Sequence, residues 1–195
     1  MRRISLIDRW HRPRGTVDAE FEVMKIAADI TRDLRRLWDE RPPLMDHAVQ
    51  GRLTALHLGK KLAATVTKSC RVYVAGYYAS FIHLHRVAYV QFPCTDEVLN
   101  AIDVILSMAR LIIADSGTLP VSMLWPLLMC GSEISSREDR VWIVAQLRKF
   151  DNATTNGRMT ADVLEQVQER QERLKRREDI RTVMLDVFNS SFAII

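Results

Sequence analysis

Glycine, proline and cysteine are scarce in this chain, at seven, six and three among 195 residues. So few helix breakers in a sequence rich in Leu, Ile, Ala, Arg and Glu argue against turn-dense β structure and favour long helices. The cysteines Cys70, Cys94 and Cys130 lie far apart with no C-x-x-C pair. That spacing disfavours a zinc knuckle or a redox dithiol within these residues. An odd set of scattered thiols suits a reducing compartment, each thiol acting as a small apolar core group. No uncharged apolar run reaches the roughly 18 residues of a membrane span, and the opening Met-Arg-Arg-Ile-Ser-Leu-Ile-Asp lacks a signal-peptide core. Dominant charge of one sign is missing too: 28 bases against 24 acids leave +4, which permits contact with nucleic acid or membrane but demands neither. The chain reads as soluble and intracellular.

Hydrophobic residues make up 48% and charged residues 27%, the usage of a globular chain rather than a disordered one. The length suits one domain with a substantial core. Residues 1–15 read as a basic, poorly ordered arm: Arg2, Arg3, Arg9, Arg12 and Arg14 stand against Asp8, and Pro13 and Gly15 break any helix there. Residues 16–195 read as a single all-α domain of about seven or eight helices packed as helical hairpins.

From Thr16 an apolar stripe of Phe21, Met24, Ala27, Ile30, Leu34 and Leu37 recurs at helical steps, with acids first and arginines last, until Pro42 and Pro43. A second helix is expected from about Asp46 to Thr67, with Val49, Leu53, Leu56, Ala63 and Val66 inward. A third, from about Ser69 to Phe92, carries Tyr73, Tyr77, Tyr78, Phe81 and Tyr89 and is apolar nearly all round, as a central helix would be. After Pro93, Thr95 caps an amphipathic helix to about Ala114. Pro126 should bend or restart a helix near Trp125, and Gly131 fits its end. Ser136 and Asp139 have capping-box spacing ahead of a helix closed by Phe150. Beyond a polar loop from Asp151 to Gly157, Thr160 is expected to cap a helix bearing Leu164 and Val167. Its charged run Glu169–Asp179 reads as a solvated face. A short helix from Ile180 and a docked apolar tail, Phe192-Ala193-Ile194-Ile195, end the chain.

Catalytic constellations are not apparent. His83 and His85 fall on nearly opposite sides of a helix and cannot share a metal; His11, His47 and His57 are isolated. Asp103 lies in an apolar helix as a candidate buried acid, with no second carboxylate or histidine placed near it. The sequence holds no G-x-S-x-G elbow, phosphate-cradling glycine loop or calcium loop. No catalytic residue, cofactor or metal ligand is expected. An aromatic pocket near Tyr73 to Phe81 is the rival reading, that of a small ligand-binding protein or enzyme; a helical scaffold acting only through partners is another.

One set of motifs is more specific. Leu84-His85-Arg86 sits on the aromatic helix; Leu124-Trp125-Pro126-Leu127, Gly131 and Glu133 follow; then come Glu138-Asp139-Arg140 with Trp142 and Leu147. This order resembles the C-terminal half of the fungal-specific transcription factor domain, the helical regulatory region behind a binuclear zinc-cluster DNA-binding domain. The resemblance is strongest over 72–195. It departs from the family pattern in three ways: three scattered cysteines instead of a six-cysteine cluster, Gln168 in place of a frequent Trp, and Ser132 in place of a frequent Cys. It implies a non-enzymatic regulatory and protein-interaction domain acting in RNA polymerase II transcription in the nucleus, truncated and without its own zinc cluster. The implied partners are the transcription machinery or another transcription factor, DNA only indirectly, no membrane, and a homodimer left open. Leu84, His85, Arg86, Trp125, Pro126, Gly131, Glu133, Asp139 and Arg140 are expected to hold helices together rather than to react.

Overall fold

The computed structural model describes residues 2–11, 16–53, 58–150 and 156–189. Among them the chain is all helical: α1 (Arg2–His11), α2 (Val17–Asp39), α3 (Pro43–Val49), α4 (Lys60–Ala88), α5 (Asp96–Ser116), a 3₁₀ turn (Val121–Met123), α6 (Leu124–Glu133), α7 (Arg137–Arg148), α8 (Gly157–Leu174) and α9 (Ile180–Phe188). The fold is organised around α4, which packs on α1, α2, α3, α5 and α6. Its buried residues, from Ala63 to Ala88, lie on several faces, as the aromatic, nearly all-apolar sequence requires.

Three corrections concern the first half. The arm is not wholly irregular, because Arg2–His11 is helical and buries Ile4 and Ile7 against Val23, Ala27, Ile30, Leu84 and Ala88. On α2 the buried stripe is turned from the expected one: Val23, Ala27 and Ile30 face inward, while Phe21, Met24 and Leu37 are exposed. Among the described residues this helix packs mainly on α1 and α4, so one narrow stripe suffices. The expected helices from Asp46 and from Ser69 are divided elsewhere. α3 stops at Val49, before Gly51 takes the left-handed φ of 69°, a conformation that favours glycine. α4 then runs unbroken through Ser69 to Ala88. Leu56 lies outside the described residues.

The second half follows local chemistry closely. Thr95 Oγ1 accepts from the Val98 amide at 3.4 Å to start α5, and Gly117, at φ 73°, closes it by donating its N–H to the Ile113 carbonyl at 2.7 Å. Pro126 lies in the first turn of α6, just after the 3₁₀ turn. A missing N–H costs little in a first turn, where amides lack intrahelical partners. Ser136 Oγ accepts from the Asp139 amide at 3.3 Å and opens α7. Thr160 does not cap α8, which starts at Gly157; it is buried one turn in and donates to the Asn156 carbonyl at 2.7 Å. Asp179 caps α9 through Oδ1, which accepts from the Thr182 amide at 2.8 Å.

The main core joins α4 to α8, with Ile82, Ile105, Leu124, Leu127, Ile143, Leu147 and Leu164 fully enclosed. A second cluster lies under α1 and α2, and a third between α8 and α9, built from Val163, Val167, Val183 and Met184. The loop 151–155 and the tail from 190 onward, including the expected docking of Phe192 to Ile195, lie outside the described residues.

Candidate functional site

The densest polar site lies where α4, α6 and the α8–α9 connection meet. Glu133 ends α6, where the helix dipole disfavours a carboxylate, and its side chain is only 5% exposed. Two guanidinium groups offset this. Arg86 of α4, itself 7% exposed, pairs with Oε1. Arg177 donates through Nε to Oε2 at 2.9 Å and to Oε1 at 3.1 Å. Burial alone would push the Glu133 carboxyl up; the charges of Arg86 and then Arg177, with a thiol hydrogen bond, overcome it and hold the group below the usual carboxylate range.

The remaining donors are also satisfied. Arg86 donates to the Ser132 carbonyl at 3.1 Å and to the Glu178 carbonyl at 2.6 Å. Arg177 caps the end of α4 by donating to the carbonyls of Tyr89 and Phe92. Gln171 Nε2 donates to the Ser132 carbonyl at 2.8 Å, while its Oε1 accepts from the Glu178 amide at 3.2 Å. Gln168 Nε2 reaches the Gly131 carbonyl at 2.8 Å. The Cys94 thiol lies 3.1 Å from both Glu133 Oε2 and Arg177 Nη2. Burial and the Glu133 carboxylate push its pKa up, so it is held as a hydrogen-bonding thiol rather than a nucleophilic thiolate.

The expected motif residues are partly brought together here. Arg86 and Glu133 touch, whereas Leu84 packs in the separate cluster under α1 and α2. A Cβ on Gly131 would come within 2.6 Å of Leu164 Cδ2, so this glycine sets the approach of α6 to α8. Asp139 and Arg140 do not pair with each other. Asp139 meets Arg110 of α5, and Arg140 donates to the Ile134 carbonyl at 2.8 Å and to Glu172 at 3.1 Å. Trp125 is half-buried, edge-on to His83 with ring centroids 6.1 Å apart. Asp103 is exposed, so the candidate buried acid is not one.

Sequence reasoning missed Arg177, Gln171 and Cys94. It missed a second buried cation as well: Arg71, 3% exposed, donates to the carbonyls of Val49 at 3.0 Å and Leu111 at 3.1 Å and to Asp115 at 2.6 Å. The aromatic residues of the rival reading are largely consumed by packing. Trp38 stacks on Tyr77 with centroids 4.6 Å apart, and Tyr78 and Phe81 close edge-on around them. Among the described residues no cluster of three metal-ligating side chains occurs, and no helix is long and apolar enough to cross a membrane.

A family profile described as the fungal specific transcription factor domain matches residues 1–191. The chain belongs to that family. The match extends the resemblance read from Val72 onward back through α1, and it gives this fungal transcription factor domain a transcription regulatory role. The family is in general non-enzymatic. No curated protein and no solved structure matches the chain. Of the residues expected to carry the family motif, Arg86 and Glu133 meet directly.

Proposed function

We propose that the chain is a helical regulatory module of RNA polymerase II transcription that acts in the nucleus through protein contacts. It performs no catalysis and reaches DNA only through another segment or another protein, since these 195 residues contain no six-cysteine cluster. The family match over 1–191 carries the reading. The buried polar site supports the non-catalytic part: its carboxylate, guanidinium groups and thiol are engaged with one another and with backbone carbonyls, which leaves them to fasten helices. The motif residues Leu84, His85, Arg86, Trp125, Pro126, Gly131, Glu133, Asp139 and Arg140 accordingly serve packing. The partners are components of the transcription machinery or a second transcription factor.

The test is to fuse the chain to a heterologous DNA-binding domain and measure an RNA polymerase II reporter. The fusion should raise or lower the reporter relative to the DNA-binding domain alone at equal protein level, and Cys94→Ser should leave that response intact. A stable, nuclear fusion with no effect on the reporter overturns the proposal.

A further inference from the structure

Charge is unevenly spread along this chain. No Asp or Glu occurs between Asp46 and Asp96, whereas that stretch holds six of the 28 bases. The whole excess of the chain is +4, so the rest is slightly acidic and the positive surplus belongs to this one stretch. Two of the six are buried and paired, Arg71 with Asp115 and Arg86 with Glu133. The other four, Arg52, Lys60, Lys61 and Lys68, gather where the turn after α3 meets the N-terminal half of α4. Gly51 and Lys60 line one small cleft there and Lys68 its neighbour, with Ala64 and Asp115 in both.

None of these four forms an ion pair among the described residues. The acids of α3 and of the end of α5 are already taken, Asp46 by Arg41 at 2.9 Å and Asp115 by Arg71 at 2.6 Å. The positive end of the α4 dipole adds to the same field, since its first turn holds no acid and no side chain caps it. Apolar side chains stand among the lysines. Leu62, Thr65, Ser69 and Tyr73 follow one another at three- and four-residue steps along the exposed side of α4, while Ala63, Thr67, Arg71 and Val74 are buried on the other. Leu62 is 53% exposed and Tyr73 46%. The surface is a short, partly apolar strip flanked by Lys61 and Lys68.

We infer that this side of α4 docks an acidic amphipathic peptide, one whose carboxylates flank a few apolar side chains. The carboxylates meet Arg52, Lys60, Lys61 and Lys68, and the apolar groups cover Leu62 and Tyr73. Charge complementarity sets the sign of the partner and steers the encounter. The apolar strip separates a peptide from a nucleic acid, because a phosphate backbone would satisfy the lysines and leave Leu62 and Tyr73 in water. The inference gives a partner chemistry to the protein-contact reading above and rests on it for any regulatory consequence; peptide binding is measured apart from the reporter, so either can fail alone.

The experiment adds the full chain to a fluorescein-labelled synthetic peptide, in which pairs of Glu alternate with single Leu or Phe residues, and follows anisotropy. Comparators are the same peptide with Ser in place of Leu and Phe, and a labelled DNA duplex of arbitrary sequence. Saturable binding of the first peptide is expected, weakening as salt rises, with both comparators at least about tenfold weaker. Lys61→Glu combined with Lys68→Glu turns two attractions into repulsions and should weaken binding by at least about tenfold. Leu62→Ser should weaken it by about threefold to tenfold, part of the transfer free energy of a leucine. Lys25→Glu combined with Arg181→Glu makes the same change of net charge at exposed positions of α2 and α9 and should leave affinity unchanged. On the unmutated chain, the peptide should shift backbone amide resonances of residues 60–73 and leave those of α8 and α9 in place. Absent or non-saturable binding, equal affinity for either comparator, variants that do not separate in this way, or amide shifts centred elsewhere each overturn the inference. Circular dichroism confirms that the variants are folded.

Discussion

At the scale of single residues, the buried carboxylate governs. Glu133 lies within reach of two guanidinium groups and a thiol, and replacing it with Gln leaves two enclosed cations without their shared anion. Breaking a buried pair from one side typically costs about 3–5 kcal/mol, so Glu133→Gln should lower the unfolding free energy by that amount, read as a lower urea midpoint with an unchanged slope. The pH dependence has a definite sign. Because the folded state holds Glu133 below its unfolded value, its contribution is present above the unfolded pKa and is lost as pH falls through the folded one. Stability measured across the acid range should therefore fall more steeply in the natural chain than in Glu133→Gln; parallel curves would show that the carboxylate is not coupled to folding. Arg86 and Glu133 were both singled out from the sequence, but not as partners, since 47 positions separate them. Arg177 was not legible at all. The run Glu169–Asp179 reads as a solvated helix face, whereas α8 ends at Leu174 and Lys175 turns left-handed at φ 51°. That reversal sends Arg177 inward. The one clue in the sequence was a carboxylate at the end of an apolar helix, which demands a cation from somewhere.

At the scale of elements, two glycines decide how closely helices approach. A methyl on Gly131 would meet Leu164 Cδ2 at 2.6 Å and Ile143 Cγ2 at 3.3 Å. Leu164 is wholly enclosed, so Gly131→Ala should cost about 1–3 kcal/mol as overpacking, read as a lower melting temperature. Gly157 is tighter, because its Cβ would lie 2.5 Å from Phe150 Cβ and 2.7 and 2.8 Å from the carbonyls of Phe150 and Leu147. Backbone cannot yield as a side chain does, so Gly157→Ala should be the more damaging of the pair. Equal melting temperatures would contradict the close α7–α8 junction. Trp125 belongs to the opposite case. Half-buried, it should cost less on truncation to Ala than the ~3–5 kcal/mol of an enclosed tryptophan. Element existence was readable here because caps and breakers are local: Thr95 and Ser136 cap through their own side chains as expected. Where a boundary depended on something else, as between α3 and α4, the sequence pattern misled.

At the scale of the whole molecule, the fold is one large core with two satellites, and α9 depends on the smaller of them. Besides the packing of α8 and of Ile180 on the main core, the α8–α9 connection is tied to the rest by the bonds through Arg177, Arg86 and Gln171. Arg177→Met should accordingly raise amide exchange in α9 and in residues 175–179 well before the core of α4 to α6 opens; uniform exchange across the chain would mean that α9 is not a separable unit. The sequence by itself determined the all-helical class, the capped starts of α5 and α7, the central position of the aromatic helix and the family, because each follows from local chemistry or from the order of motifs along the chain. Only the tertiary structure decided that α1 is packed, which face of α2 is buried, and that Glu133 is clamped from two directions. Those outcomes depend on which distant surfaces meet, and hydrophobic periodicity records how much of a helix is apolar without recording what covers it.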